Sequence, residues 1–312
     1  MACFHPLSGY RAEAVNPDTG KHSIVFDRRK ARFGGVLLQD QIEVPCGQCI
    51  GCRLERSRQW ALRCVHEASL HDENCFITLT YDPEHLPIYF RDDGPALGTL
   101  CKEDFQNFMK RLRERIGTKI RFFHCGEYGE QLGRPHYHAI IFGYDFADKT
   151  PIEVSDGGHN QFVSEMLTEV WGKGRCTIGA VTFDSAAYVA RYCVKKITGD
   201  LAEEHYGGKL PEYTTMSRRP GVAREWYETW KFDCYPSDSV VVRGKEMKPP
   251  KYYDRRFELD CPKEFAKVKE RRQHVARSLK DHVDNSYERR RVRERVMELT
   301  LEQRLQRKLE NG

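Results

Sequence analysis

The chain has 312 residues, 39% of them hydrophobic, and a formal net charge of +5. It is long enough to bury the core of one large domain or two ordinary ones, and apolar runs such as FITLTY at 76–81 are far too short for a membrane span. The N-terminus MACFHPLSGYR has neither the basic stretch nor the apolar core of a secretion signal. That points to a cytosolic protein whose twelve cysteines are free thiols or metal ligands rather than a disulfide frame. Residues 263–312 carry 15 Lys and Arg against 9 Asp and Glu, so the basic excess sits in the tail. Charge therefore allows a nucleic-acid partner without requiring one.

Along the chain, residues 1–72 read as an irregular, Cys-containing N-terminal extension that closes with a helix over RLERSRQWALRCVHEASL. CFITLTY, 75–81, alternates and is rich in β-branched residues, which predicts a strand. KEDFQNFMKRLRERIG spaces Phe105, Phe108 and Leu112 for a helix, with Gly117 as its stop. TKIRFFHCGEY predicts a strand, GEQLGRP a turn, and HYHAIIFGY the returning strand. FVSEMLTEVWGKG predicts a helix and CTIGAVTF a strand; DSAAYVARYCVKKITG predicts a helix with Asp184 as N-cap and Gly199 as stop. This order is a split β-α-β arrangement over residues 73–200: an α+β fold with an antiparallel central sheet and helices on one face. Residues 201–262 read as a loop-rich subdomain and 263–312 as a charged helical tail.

PCGQCIGC places Cys46, Cys49 and Cys52 at two successive C-x-x-C spacings. Three thiols among small glycines fit three ligands of a structural zinc, with Cys3 or Cys64 as the fourth; three reduced thiols in a tight loop, or an iron–sulfur cluster, are the alternatives. RLERSRQW and RRVRER are basic helix faces, either solvated or in contact with phosphate.

In GRPHYHAIIF, residues two apart on a strand share a face, so His136 and His138 project together and Tyr137 points the other way. Alone, such a pair is more often a packed pair of imidazoles than a metal site. Folding the hairpin about residues 131–132 sets Glu127 opposite His136, which supplies a carboxylate as third ligand; His124 is a less convenient substitute. In AAYVARYCVKK, Tyr188, Tyr192 and Lys195 fall on one helical stripe. That stripe is either a half-buried core face or a pair of nucleophiles, with Lys195 as the cation that helps a phenol, pKa near 10, to act near neutral pH.

FITLTY, HYH and YVARYCVKK, in that order, resemble the three motifs of the HUH endonucleases that initiate rolling-circle replication, in the branch with two tyrosines. With PCGQCIGCRLERSRQWALR, MSRRPG and PPKYYDRRF, the chain resembles the initiators of small single-stranded-DNA phages, the gokushovirus branch of the Microviridae. The resemblance implies a nickase and strand transferase. A tyrosine takes the 5′-phosphate of origin DNA, and Mg²⁺ or Mn²⁺ polarises the scissile phosphate. It also implies a freed 3′-OH that primes synthesis, a host helicase and polymerase as partners, and work in the host cytoplasm. The catalytic residues would be Tyr188, Tyr192 and Lys195, and the metal ligands His136, His138 and Glu127. A non-catalytic DNA-binding protein on the same fold and an unrelated metal-dependent phosphodiesterase are the competing readings.

Overall fold

NCFITLT alternates between half-buried and buried positions, as a strand between two layers does. Around it the computed structural model describes residues 3–17, 22–26, 41–90, 94, 97–129, 133–154, 160–195, 201–279 and 282–310. In chain order the strands are β1 (Leu7–Val15), β2 (His22–Val25), β3 (Gln41–Val44), β4 (Asn74–Thr80), β5 (Ile88–Tyr89), β6 (Leu97–Gly98), β7 (Arg121–Tyr128), β8 (Pro135–Phe142), β9 (Thr150–Val154), β10 (Asn160–Val163), β11 (Cys176–Gly179), β12 (Tyr213–Met216), β13 (Val240–Val242) and β14 (Lys245–Met247). The α-helices are α1 (Ile50–Ala68), α2 (Lys102–Ile116), α3 (Glu165–Trp171), α4 (Phe183–Lys195), α5 (Leu201–Tyr206), α6 (Arg224–Cys234), α7 (Lys251–Asp260), α8 (Pro262–Ser278) and α9 (Tyr287–Glu310). None is long and apolar enough to cross a membrane.

The chain divides into two compact units, residues 1–55 with 276–307, and residues 56–275 with 308–312. The second unit is built on a seven-stranded sheet in the order β12-β7-β8-β4-β11-β10-β9, antiparallel at every pairing. The fold is α+β with a large antiparallel sheet, and strand, helix, strand, strand, helix, strand, helix recurs from β4 to α4 with the β9–β10 hairpin inserted before α3.

The expectation of helices on one face is corrected: both faces are covered. One core joins Cys75, Ile77, Leu79, Tyr137, Ala139 and Ile141 of β4 and β8 to Phe105, Phe108 and Leu112 of α2 and to Leu167 and Trp171 of α3. On the other face Phe123, Cys125, Ile140 and Phe142 meet Ala61 and Cys64 of α1 and Ala186, Val189 and Ala190 of α4. Strand β8, between β7 and β4, is buried at seven of its eight residues, as a strand covered on both sides must be.

Local signals set the element ends. Gly117 ends α2 in the left-handed region (φ 64°), its N–H on Arg113 O. The helix expected over 162–174 is shorter: Val163 closes β10, Ser164 caps α3 by accepting the Leu167 N–H at 3.0 Å, and Gly172 (φ 63°) stops it. Asp184 is not the cap of α4. Thr182 Oγ1 accepts the Ser185 N–H at 3.1 Å while Ser185 Oγ accepts the Thr182 N–H at 2.8 Å, a reciprocal cap one turn earlier. Gly199, the expected stop, lies outside the described residues.

Residues 201–262 hold more structure than their loop-like composition promised. Strand β12 pairs with β7 at the sheet edge, and Tyr227, Tyr235, Tyr253 and Phe257 form a further core with Leu62, Phe265 and Val268. In the first unit β2-β1-β3 form an antiparallel sheet within a stretch expected to be irregular, and α9 belongs to the same unit.

Candidate functional site

The β7–β8 hairpin pairs Glu127 directly with His136, the register that equal distance from the turn predicts; the turn residues 130–132 themselves lie outside the described residues. Strand β4 runs along the other side of β8, with Thr78 opposite His138 and Thr80 opposite His136. Side chains at these positions share one sheet face.

Glu127 reaches diagonally: its Oε1 lies 2.8 Å from His138 Nε2, with Glu127 3% and His138 5% exposed. On the far side of the ring, Thr78 Oγ1 lies 2.9 Å from His138 Nδ1. Phe76 stacks nearly parallel to the imidazole, with centroids 5.7 Å apart. The ring is thus fixed at both nitrogens and on one face, the outer support that ligating histidines carry. Thr78 escaped the sequence reading, because its role depends on the β4–β8 register, which no local signal sets.

His136 is half-buried, with its ring centroid 6.3 Å from that of His138. Burial lowers its pKa and the neighbouring His138 adds to this, so the imidazole is held neutral, the form that binds metals. Two buried atoms here, His136 Nδ1 and Glu127 Oε2, have no hydrogen-bond partner among the described residues. Two imidazoles, a carboxylate and two unsatisfied buried atoms make a donor set that fits a divalent ion. The set is open: among the described residues, only four cysteine sulfurs gather three or more ligand atoms within 4.8 Å of one another. Gly129 lines the site, since a β-carbon there would stand 2.8 Å from His136 Nε2.

Tyr137, between the two histidines, is fully buried on the opposite face. Its hydroxyl donates to Cys101 O at 2.7 Å and accepts from Cys101 N–H at 2.9 Å, at the start of α2. The bulky residue of the His-x-His triplet is therefore an anchor that holds β8 against the helical layer. His124 is not in the site. It stacks on Phe105 at 3.4 Å, and its Nδ1 meets Thr215 Oγ1 at 2.9 Å on that same opposite face. Burial holds its pKa well below the usual value.

Helix α4 crosses the site face. Tyr188 sets its ring perpendicular to His138, with centroids 5.1 Å apart, and edge-on to Phe76 at 6.3 Å. Tyr192 and Lys195 belong to the last turns of α4, and their side chains lie outside the described residues.

In the first unit the Sγ atoms of Cys3, Cys46, Cys49 and Cys52 all lie within 4.8 Å of one another, so this cluster can hold a metal ion. Cys64, the other candidate for fourth ligand, is instead packed in the core between α1 and the sheet. Burial raises the Cys46 thiol, but N–H groups of Cys49 and Gln48 outweigh it, and the pKa falls to about 7. The basic helix faces are partly consumed by structure. Arg63 lies between the rings of Trp60 and Tyr252, 4.1 and 3.9 Å from their centroids, and bonds Val222 O. Arg293 donates to Asp284 O.

Residues 74–197, from the first sheet strand through α4, match the family of replication-associated proteins of the ORF2 type. The chain is 34% identical over 293 residues to the replication-associated protein ORF2 of Spiroplasma virus 4, covering 89% of this chain and 87% of that one. It is 33% identical over 256 residues to the replication-associated protein VP4 of Bdellovibrio phage phiMH2K, covering 77% and 78%. It is 30% identical over 224 residues to the replication-associated protein ORF4 of Chlamydia phage 1, covering 69% and 53%. The chain belongs to these phage replication-associated proteins, in the gokushovirus-like branch of the Microviridae. No solved structure matches it.

Proposed function

We propose that the protein initiates phage rolling-circle replication as a nickase and strand transferase, holding the 5′ end of the cut origin strand as a phosphotyrosine. One observation carries this reading: α4 seats Tyr188 against His138, 5.1 Å between ring centroids, on the face that also bears His136 and Glu127. A core Tyr stripe would have no reason to meet a buried imidazole–carboxylate pair.

His136, His138 and Glu127 would hold Mg²⁺ or Mn²⁺, which when bound supplies a Lewis acid for the scissile phosphate. The chain's own groups do the rest. Thr78 and Glu127 fix the His138 ring. The Tyr188 oxygen forms a bond to phosphorus as the P–O3′ bond breaks; the phenol proton leaves to solvent, and the departing 3′ oxygen takes one up. The phosphodiester becomes a phosphotyrosine diester, so rejoining needs no nucleotide cofactor. Tyr192 serves as second nucleophile, and Lys195 eases loss of the phenol proton. The freed 3′-OH primes a host polymerase on DNA opened by a host helicase, in the host cytoplasm.

The test is incubation with a single-stranded origin oligonucleotide and Mn²⁺. The expected product is an SDS-stable protein–DNA band that is lost when both tyrosines are Phe. Binding without cleavage would leave a non-catalytic DNA-binding protein, and cleavage without an adduct a hydrolytic phosphodiesterase.

A further inference from the structure

The cysteine cluster of the first unit is remote from this chemistry in the sequence and has no part in strand transfer. Cys46 and Cys49 lie in the turn CGQC, where Gly47 takes φ 77°, a left-handed conformation that suits glycine. That turn aims the N–H groups of Gln48 and Cys49 at Cys46 Sγ, at 3.4 and 3.3 Å. Cys52 follows in the first turn of α1. Cys3 arrives from the far end of the sequence, its Sγ accepting the Cys46 N–H at 3.3 Å and lying 4.0 Å from Cys49 Sγ. The Phe4 N–H in turn points at Cys49 Sγ, at 3.4 Å. Backbone donors directed at sulfur stabilise thiolates more than thiols.

We infer that Cys3, Cys46, Cys49 and Cys52 bind one structural Zn²⁺ as a four-thiolate site that ties the N-terminus to the start of α1. Tetrahedral zinc with Zn–S bonds of about 2.3 Å needs sulfurs about 3.8 Å apart; the Cys3–Cys49 pair stands at 4.0 Å and no pair in the set exceeds 4.8 Å. An iron–sulfur cluster inserts iron and sulfide between its thiolates and needs a wider cage. All four ligand positions are filled by protein, so no position remains for a substrate, the mark of a structural site. Among the described residues the hydrophobic cluster here holds only Cys3, Phe4 and Cys49 as fully buried members, with Cys46, Ile50, Cys52 and Met297 packed against it. So small a core cannot order the terminus by burial alone, and the metal supplies the missing constraint. On binding, thiol protons are released to solvent as thiolates form.

The test uses full-length protein without an affinity tag, purified without chelators. Elemental mass spectrometry should find one zinc per chain that dialysis against Mg²⁺ leaves in place. Titrating the thiols with a mercurial should release it. Cobalt exchanged into the wild-type protein should show thiolate charge-transfer and tetrahedral ligand-field bands, a readout that needs no variant to fold. Cys46→Ser and Cys52→Ser should each cut the zinc to below a tenth per chain, whereas a His136→Ala, His138→Ala double variant should keep it at one. Less than a tenth of a zinc in folded wild-type protein would overturn the inference. So would iron in place of zinc, or zinc lost from the histidine variant and kept by both cysteine variants.

Discussion

Glu127 Oε1 and His138 Nε2 are separated by 2.8 Å in space and eleven residues in sequence, and both side chains are almost wholly covered. A buried pair of this kind makes the two truncations unequal. His138→Ala leaves the carboxylate buried without its partner, an expected loss of about 1–3 kcal/mol in urea unfolding. Glu127→Gln keeps an acceptor for the imidazole and removes the charge, so the melting temperature should stay near wild type while Mn²⁺ affinity falls about 10–100-fold. Titration calorimetry with Mn²⁺ checks this; superimposable isotherms would remove Glu127 from the ligand set.

Gly129→Ala tests the place of His136 without touching a ligand. The added β-carbon would stand 2.8 Å from His136 Nε2 and 3.2 Å from Cε1, closer than carbon and nitrogen can approach, so the imidazole must turn. The position has no left-handed φ, so the backbone accepts alanine and stability should change by less than ~1 kcal/mol. Nicking should nevertheless drop about tenfold, the scale of a disturbed metal-site neighbour. A wild-type rate would show that the His136 orientation does not matter.

The β7–β8 register was legible because a short turn fixes it: Glu127 and His136 are equidistant from its centre, and they pair. The β4–β8 register was not, since a helix and another strand intervene, and with it went the role of Thr78. The second helical layer left a trace that alternation obscures. HAIIF has no polar outward position, and burial of both Ile140 and Ile141 requires cover on both faces. Strand β12 is only YTTM, and what makes it a strand is the open edge of β7 rather than its own composition. Cys3 could be separated from Cys64 as fourth ligand only in three dimensions, because long-range packing decides which sulfur faces the CGQC turn.

Acid should destabilise the second unit through His66. Its ring stacks on Trp226 at 3.5 Å and its Nδ1 meets the Tyr253 hydroxyl at 2.8 Å, and burial pushes its pKa down to about 3. The unfolded chain takes up this proton near pH 6.5, so the contribution is complete above pH 6.5 and is lost progressively down to about pH 3. Within that window the unfolded state binds one more proton, worth about 1.4 kcal/mol per pH unit. Urea midpoints between pH 7 and 5 should fall less steeply for His66→Phe, which keeps the stack and cannot titrate. Parallel slopes for the two proteins would refute the assignment.

The two tyrosines of α4 should work as a relay. Rolling-circle replication requires two strand transfers per cycle, and after the first the nucleophile is occupied by a 5′ end. The regenerated origin then needs a second hydroxyl. Tyr188 and Tyr192 are one helical turn apart, where β-carbons lie about 5–6 Å from each other, so the two can serve one phosphate site in alternation with little movement of the backbone. Phe at either position deletes only an oxygen. At 188 the ring that meets His138 and Phe76 is retained, so neither the fold nor the sheet face should change, and melting temperatures should match wild type. Each single variant should still form a covalent adduct on an origin oligonucleotide, and the double variant none. Each single variant should also stop after one transfer on a circular template, because the relay has lost a station. Peptide mapping of wild-type adducts should place DNA on both tyrosines. If DNA is found on Tyr192 alone and Tyr188→Phe produces circles at the wild-type rate, Tyr188 is a packing residue of the site face and the relay does not exist.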